Sequence, residues 1–144
     1  MDHQFDVLVI LNYATSHLDP LIKAEGANAD FIGRLIELDW YSYDLRQQRV
    51  IEEKQFFIKP NDNFLINPET KVRTGISNED LDTGFSLKEV LDKFNDNCHY
   101  NYTKNNKSYC LASLGDVLLT KILPVEIKDI NVKLPPHFYQ FFDI

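Results

Sequence analysis

Residues 5–16 read FDVLVILNYATS, and this stretch decides the fold that the sequence predicts. Its residues 7–11 form an unbroken apolar run that is rich in β-branched side chains. Such a run is typical of a central β-strand that is covered on both faces. The strand then ends at Asn12, Tyr13 and Ala14, none of which is charged at neutral pH. We therefore expect a sheet that is built around residues 7–11.

The size and charge of the chain limit what it can be. Its 144 residues are about the length of one domain, and 44% of them are hydrophobic, which is enough for a substantial core. Lys and Arg number 15 against 22 Asp and Glu, which gives a formal net charge of −7. An acidic surface repels phosphate backbones, so non-specific nucleic-acid binding by the whole surface is disfavoured. Binding in a local basic groove is still compatible with this net charge.

The sequence carries no signal for a membrane or for secretion. No apolar run approaches the roughly 20 residues that cross a bilayer, and residues 1–4 lack the basic region of a signal peptide. Cys98 and Cys110 show no metal-ligand spacing, and we interpret both as reduced thiols in an apolar core. We therefore expect an intracellular protein, cytoplasmic or nuclear.

Two further strands are predicted downstream of the first, at residues 31–43 and 49–59. Both segments are rich in aromatic and β-branched residues, and the polar residues 44–48 between them suit a turn. Pro60 ends the third strand. Three successive strands of this kind form an antiparallel meander.

Two helices follow. Pro68 suits the first turn of a short helix, which we expect to end near Gly75. Ser86 and Glu89 form a capping box for a longer helix over residues 85–98, in which apolar side chains recur at helical spacing.

The remaining segments alternate between extended and helical patterns. Residues 108–113 predict another buried strand, and Asp116 can cap a helix that runs towards Pro124. The aromatic residues 138–144 predict a final strand. The predicted order is β-β-β-α-α-β-α-β, which places the chain in the α/β class.

This order and several local phrases resemble the DEDDh 3′→5′ exonucleases, in particular the branch that trims histone messenger RNAs and small RNAs. The resemblance implies a ribonuclease H-like mixed sheet, in which an antiparallel three-strand meander joins parallel strands and helices flank the sheet. It also implies one exonuclease-like domain over residues 1–144 that lacks the C-terminal helices of the family. The phrases that carry it are FDVLVIL at 5–11, RLIEL at 34–38, KQFFIKP at 54–60, RTGISNEDLD at 73–82, FSLKEVLDKF at 85–94, LASLGDVLLTKILP at 111–124 and LPPHFYQFFDI at 134–144.

The chain departs from that family at the positions that carry its chemistry. The family hydrolyses RNA with two divalent cations about 4 Å apart, held by clustered carboxylates. Its first strand ends in Asp-x-Glu, where this chain has Asn12 and Ala14, and a later catalytic Asp aligns with Leu118. The family's general-base His would follow residue 144. The resemblance therefore implies a pseudo-exonuclease with no catalytic residues, no metal site and no cofactor.

Three nearby side chains could in principle rebuild a site. Asp116 lies two residues from the aligned position and is expected to point elsewhere. We interpret His17 as a loop residue, and Glu37 as an edge position of a strand with ordinary contacts rather than as a metal ligand.

Loss of the carboxylates suits a domain that is kept as a scaffold, because unpaired acids repel one another when no metal is bound. Our first hypothesis is an inactive domain that binds a protein partner or a second copy, in an RNA-processing or RNA-silencing complex by analogy with the family. Absence of the C-terminal helices would leave an apolar surface or a sheet edge open. The aromatic tail supplies the candidate contacts, with ordinary core packing as the alternative: Phe138, Tyr139, Phe141 and Phe142.

Two alternatives remain at this point. In the first, the chain binds RNA without cleaving it: Tyr13, Tyr41 and Tyr43 would stack on bases, while Lys71 and Arg73 would meet phosphates. In the second, the chain is a fragment of a larger 3′→5′ exoribonuclease, which would not explain Asn12 and Ala14.

Overall fold

The computed structural model describes residues 4–16, 34–60, 65–128, 130–132 and 134–144. These residues contain a five-stranded mixed sheet in the order β3-β2-β1-β4-β5, so the first strand is central, as the sequence predicts. The pairs β1–β2 and β2–β3 are antiparallel, whereas β1–β4 and β4–β5 are parallel. The strands are β1 (Val7–Thr15), β2 (Leu35–Asp44), β3 (Arg49–Phe57), β4 (Tyr109–Ser113) and β5 (Phe141–Asp143).

The helices follow the predicted order with local differences. A π-helical turn over Leu118–Ile122 stands where a regular helix was expected after Asp116, and a 3₁₀ turn over Pro136–Tyr139 replaces the start of the expected final strand. No helix in the described part of the chain is long and apolar enough to cross a membrane. The α-helices are α1 (Pro68–Thr74), α2 (Asn78–Asp82), α3 (Leu87–Asn101) and α4 (Leu123–Glu126).

Local signals in the sequence explain the ends of α1 and α3. The side chain of Asn67 accepts a hydrogen bond from the Thr70 amide at 2.8 Å, which caps α1, and Gly75 closes that helix with φ +74°. The Ser86 hydroxyl accepts a hydrogen bond from the Glu89 amide at 3.2 Å and so caps α3, as predicted.

The main core lies on one face of the sheet, which we call the helical face. Val7, Val9 and Leu11 of β1 point into it, together with Trp40 of β2 and Phe94 of α3. The rings of Trp40 and Phe94 meet edge to face with their centroids 5.0 Å apart. Each such side chain contributes about 1.5–3 kcal/mol by its burial. The thiols of Cys98 and Cys110 are free and buried, as predicted.

The opposite face, which we call the open face, is covered less completely. Leu8 and Ile10 point to it and are half-buried, and Asn12 is exposed. The expectation that residues 7–11 are covered on both faces is therefore wrong: alternate side chains of β1 point to opposite faces, and only one face has the main core. A smaller cluster covers one end of the open face, formed by Ile36, Ile66, Ile76 and Leu81 with Ala14 and Phe57.

Candidate functional site

The two degenerate positions of the first strand lie side by side on the open face. Asn12 pairs with Asp39 across the β1–β2 ladder, and Ala14 pairs with Glu37. Directly opposed residues of an antiparallel pair have Cβ atoms ~5 Å apart and point to the same face. The structure therefore places two acids of β2 directly beside Asn12 and Ala14, the positions where the sequence predicts that metal-binding acids have been replaced.

Glu37 and Asp39 form a contacting pair of carboxyl groups. Asp39 is only 4% exposed, and burial raises its pKa well above the usual range, to about 8. A hydrogen bond with the Glu37 side chain and the negative charge of Glu37 contribute to this raised value. Asp39 therefore keeps its proton near neutral pH, because a second negative charge is unfavourable at a buried position beside another carboxyl group.

The edge interpretation of Glu37 is wrong, because β2 lies between β1 and β3. Asp39 was not among the sequence candidates, although the spacing Glu37-x-Asp39 places both acids on one face of a predicted strand. One oxygen of Asp39, Oδ1, is buried without a hydrogen-bond partner among the residues described here. The pair is thus an unusual polar feature in this part of the sheet.

The third aligned position offers no ligand either. Leu118 is fully buried in the main core, so its side chain contacts apolar neighbours. Asp116 is exposed, and its carbonyl oxygen accepts hydrogen bonds from Thr120. His17 lies outside the described residues.

This donor set does not fit a pair of divalent cations. It supplies one neutral amide and two carboxyl groups, whereas two hard cations need several anionic oxygens. Across the described ranges, no group of three or more His, Cys, Asp or Glu side chains could hold a metal ion. We therefore derive no metal-dependent step for this site.

The structure does not bring the candidate RNA contacts together. Tyr13 points to the helical face and packs against the main core, whereas Tyr41 and Tyr43 pair with open-face residues of β1. Arg73 donates a hydrogen bond from its guanidinium to the Thr15 carbonyl oxygen at 2.7 Å, which ties α1 to the end of β1. Lys71 is exposed on the same short helix. The three tyrosines therefore cannot form one stacking surface.

The aromatic tail divides into core and surface residues. Phe138 is buried in the main core and meets Phe94 edge to face at 5.4 Å, so it is not available to a partner. Phe141 is half-buried against the same core. Tyr139 and Phe142 are exposed, which leaves these two as candidate contacts.

Comparison with known proteins identifies the family. The family model described as Exonuclease (RNase_T) matches residues 32–140, which is well over half of the chain. The nuclease domain of 3′hExo, a DEDDh family member bound to rAMP, matches with a TM-score of 0.76 at 20% identity over 95% of this chain and 66% of that one. Cell-death related nuclease 4 (CRN-4) matches with a TM-score of 0.75 at 21% identity, over 95% of this chain and 44% of that one.

A more distant match is E. coli exonuclease I in complex with a dT13 oligonucleotide. It has a TM-score of 0.52 at 17% identity, over 78% of this chain and 21% of that one. The chain therefore spans less than two thirds of the length of each of these three structures, and at such identities the likeness shows the fold. The mixed sheet with its flanking helices is the ribonuclease H-like fold of these nucleases. Because the family model matches most of its length, the chain belongs to the exonuclease (RNase_T) family.

Proposed function

We propose that this chain is a catalytically inactive exonuclease-like domain that acts as a protein-interaction scaffold in an RNA-processing or RNA-silencing complex. The observation that carries the proposal is the composition of the site beside β1. Asn12 and Ala14 replace the two acids of the family, and of the acids that face them, Glu37 and Asp39, the second has a pKa raised to about 8. The domain spans residues 1–144 and works inside the cell.

Inactivity follows from the number of charges. Two divalent cations bring a charge of +4 into a small volume, and clustered carboxylates must balance it. Glu37 and Asp39, the two carboxyl groups beside the replaced positions, can balance at most two of these four charges. The buried Leu118 adds none. The site therefore cannot assemble the cation pair that activates water and stabilises the leaving oxygen.

A binding role is supported by the surface that the fold leaves exposed. The sheet has edges at β3 and β5 in the described part of the chain, and apolar side chains lie uncovered on its open face. Unpaired edges and exposed apolar patches are features of interaction surfaces. The RNA-related setting rests on the relatives, one of which is a 3′-exonuclease described for 3′-end recognition of the histone mRNA stem-loop.

The decisive experiment measures RNA degradation by the purified chain. A 5′-labelled single-stranded RNA is incubated with the protein and Mg²⁺ or Mn²⁺ between about pH 6 and pH 9, with an active DEDDh exonuclease as positive control. We expect the RNA to stay at full length. The proposal would be overturned by an activity that shortens the RNA from its 3′ end, co-purifies with the protein and is altered by the Asp39→Asn substitution.

A variant with the lost acids restored provides the matched control. Asn12→Asp combined with Ala14→Glu restores two carboxylates, but Leu118 still occupies the third position, so we expect this variant to stay inactive as well. RNA binding is measured in parallel by fluorescence anisotropy. Tight, salt-dependent RNA binding with no cleavage would show that the chain is an RNA-binding module rather than a protein-interaction scaffold.

A further inference from the structure

The register of the sheet defines a continuous row of side chains across the open face. Ile10 pairs with Tyr41 on one side and with Ala112 on the other, and Ala112 pairs in turn with Phe142. Tyr41 also pairs with Glu53 of β3. The row therefore crosses all five strands and is apolar from Tyr41 to Phe142.

A second row runs parallel to the first. Leu8 pairs with Tyr43 and with Cys110, and Tyr43 pairs with Val50. We call the accessible members of the two rows the open-face patch: Leu8, Ile10, Tyr41, Tyr43, Val50 and Phe142.

The patch is accessible although it lies over strands that are usually covered. Tyr41 is 37% exposed and Phe142 is 54% exposed, and Leu8, Ile10 and Tyr43 are half-buried. Parallel strand pairs such as β1–β4 are normally buried on both faces. The open-face patch is therefore a surface that a further element can cover with a gain in buried apolar area.

The dimensions of the patch match those of an α-helix. Tyr41 and Phe142 stand three strand spacings apart, which is about 14 Å. The side chains between them are smaller, ending in Ala112 on β4. Tyr41 and Phe142 thus flank the half-buried Ile10 and the fully buried Ala112, and an α-helix with side chains is about 10–12 Å across.

The charges around the patch select the kind of helix. Glu53 lies in the same row as Tyr41, and Glu37 lies further along β2 on the same face. Lys54 pairs with Trp40 and so belongs to the helical face. A second copy of the chain would bring the same acids and a net charge of −7, whereas Lys or Arg on a partner helix would complement Glu53.

We propose that the open-face patch is the docking site for a basic amphipathic α-helix of a partner protein. The apolar side of that helix lies on Leu8 and Ile10 between Tyr41 and Phe142, and its cationic residues meet Glu53. This inference rests on the proposed scaffold function and deepens it by naming the surface and the chemistry of the partner.

Two synthetic peptides test the docking site with the intact chain. One has about 18 residues of Leu and Lys at amphipathic helical spacing, and the other has Glu in place of every Lys. Binding is followed by fluorescence anisotropy, and the contacted residues are mapped by amide chemical-shift changes. We expect the Leu/Lys peptide to bind at least tenfold more tightly than the Leu/Glu peptide, with shift changes centred on Leu8, Ile10 and Tyr41.

Two charge-matched variants separate the patch from general attraction to an acidic protein. Tyr41→Lys places a charge in the patch, whereas Val72→Lys adds the same charge on α1, at a side chain that is 87% exposed. We expect Tyr41→Lys to weaken binding of the Leu/Lys peptide at least tenfold and Val72→Lys to change it less than twofold. Phe142→Lys repeats the first change on the other side of the patch, should Tyr41→Lys impair folding.

Several results would overturn the docking site. Equal weakening by Tyr41→Lys and Val72→Lys, equal binding of both peptides, or shift changes elsewhere would each remove it. A concentration-dependent dimer that Tyr41→Lys abolishes would assign the patch to a second copy, and the same shift changes with single-stranded RNA would assign it to RNA. If the Leu/Lys peptide does not bind and RNA stays intact, only the docking site is ruled out. If the chain degrades RNA, the proposed function is ruled out whether or not the peptides bind.

Discussion

The two faces of one sheet differ in what covers them, and this difference separates stability from function in the molecule. On the helical face, Val7, Val9 and Leu11 pack under α3 and hold the fold together. On the open face, the intervening residues Leu8 and Ile10 are half-buried. Alternate side chains of β1 are therefore buried in the main core, and the side chains between them lie on the open face.

The comparison also separates the residues that stabilise the fold from those of the candidate site. The residues that stabilise the sheet lie on the helical face, whereas Asn12 and Ala14 lie on the other. Substitutions at these two positions therefore leave the main core unchanged. Substitutions on the two faces should therefore have different effects on stability, and this expectation can be tested.

The largest effect is expected on the helical face. Phe94→Ala should lower the free energy of unfolding by about 3–5 kcal/mol, because Phe94 contacts both Trp40 and Phe138 and its loss leaves a cavity. Urea denaturation followed by circular dichroism measures the change. Tyr41→Ala on the open face is the control and should cost less than about 1 kcal/mol. Equal costs at the two positions would end the distinction between the faces.

A polar link on the helical face should come second. One carboxylate oxygen of Glu52, Oε1, accepts hydrogen bonds from Trp40 Nε1 at 2.9 Å and from Asn97 Nδ2 at 2.7 Å, which joins β3 to β2 and α3. Glu52→Ala leaves the buried indole without its acceptor and should cost about 2 kcal/mol in urea denaturation. Glu52→Gln keeps an acceptor oxygen and should cost less than half as much.

The sequence predicted those parts of the fold that local signals determine. The apolar run of β1, the Ser86 cap of α3 and the Pro68 and Gly75 ends of α1 each act within a few residues. Their bounds therefore followed closely from side-chain pattern and capping chemistry. Helix α2 was missed because five residues are too few for an apolar period, although the capping box of Ser77 and Asp80 marks its start.

The parts that were wrong depend on contacts between distant segments. A run of five apolar residues does not reveal which face receives a helix, so the cover over Leu8 and Ile10 was overestimated. Asp39 became a site residue only through its pairing with Asn12 and its contact with Glu37. Phe138 and Phe142 look alike in the sequence, yet one fills the core and the other stands exposed on an edge strand.

A third prediction concerns the carboxyl pair on the open face. Asp39 holds a proton in the native state up to about pH 8, whereas in the unfolded chain it releases that proton near pH 4. The stability contributed by this raised pKa is complete below pH 4 and is lost as the pH rises towards 8. Asp39→Asn keeps a hydrogen-bond donor for Glu37 without a titrating group.

Unfolding experiments from pH 5 to pH 8 measure this effect. The free energy of unfolding of Asp39→Asn should rise by at least about 1 kcal/mol relative to the parent chain across this interval. Only the parent loses stability with rising pH, because its unfolded state releases the Asp39 proton that the folded state retains. Glu53→Gln removes an exposed acid from the neighbouring strand and should leave the pH dependence nearly unchanged. Parallel curves for Asp39→Asn and the parent chain would show that Asp39 does not keep its proton in the folded state.

The smallest effect on stability is expected at the exposed end of the open-face patch, at Phe142 of β5. Phe142→Ser removes a ring that is largely in solvent and has one edge-to-face contact, with Phe5 at 6.3 Å between ring centroids. The free energy of unfolding should therefore change by less than about 1 kcal/mol. A residue that contributes so little to folding can be used for binding. Phe142→Ser should therefore weaken binding of the Leu/Lys peptide far more than it lowers the stability of the fold. A large loss of stability would instead make Phe142 part of the core, and the open face would then be a second structural face.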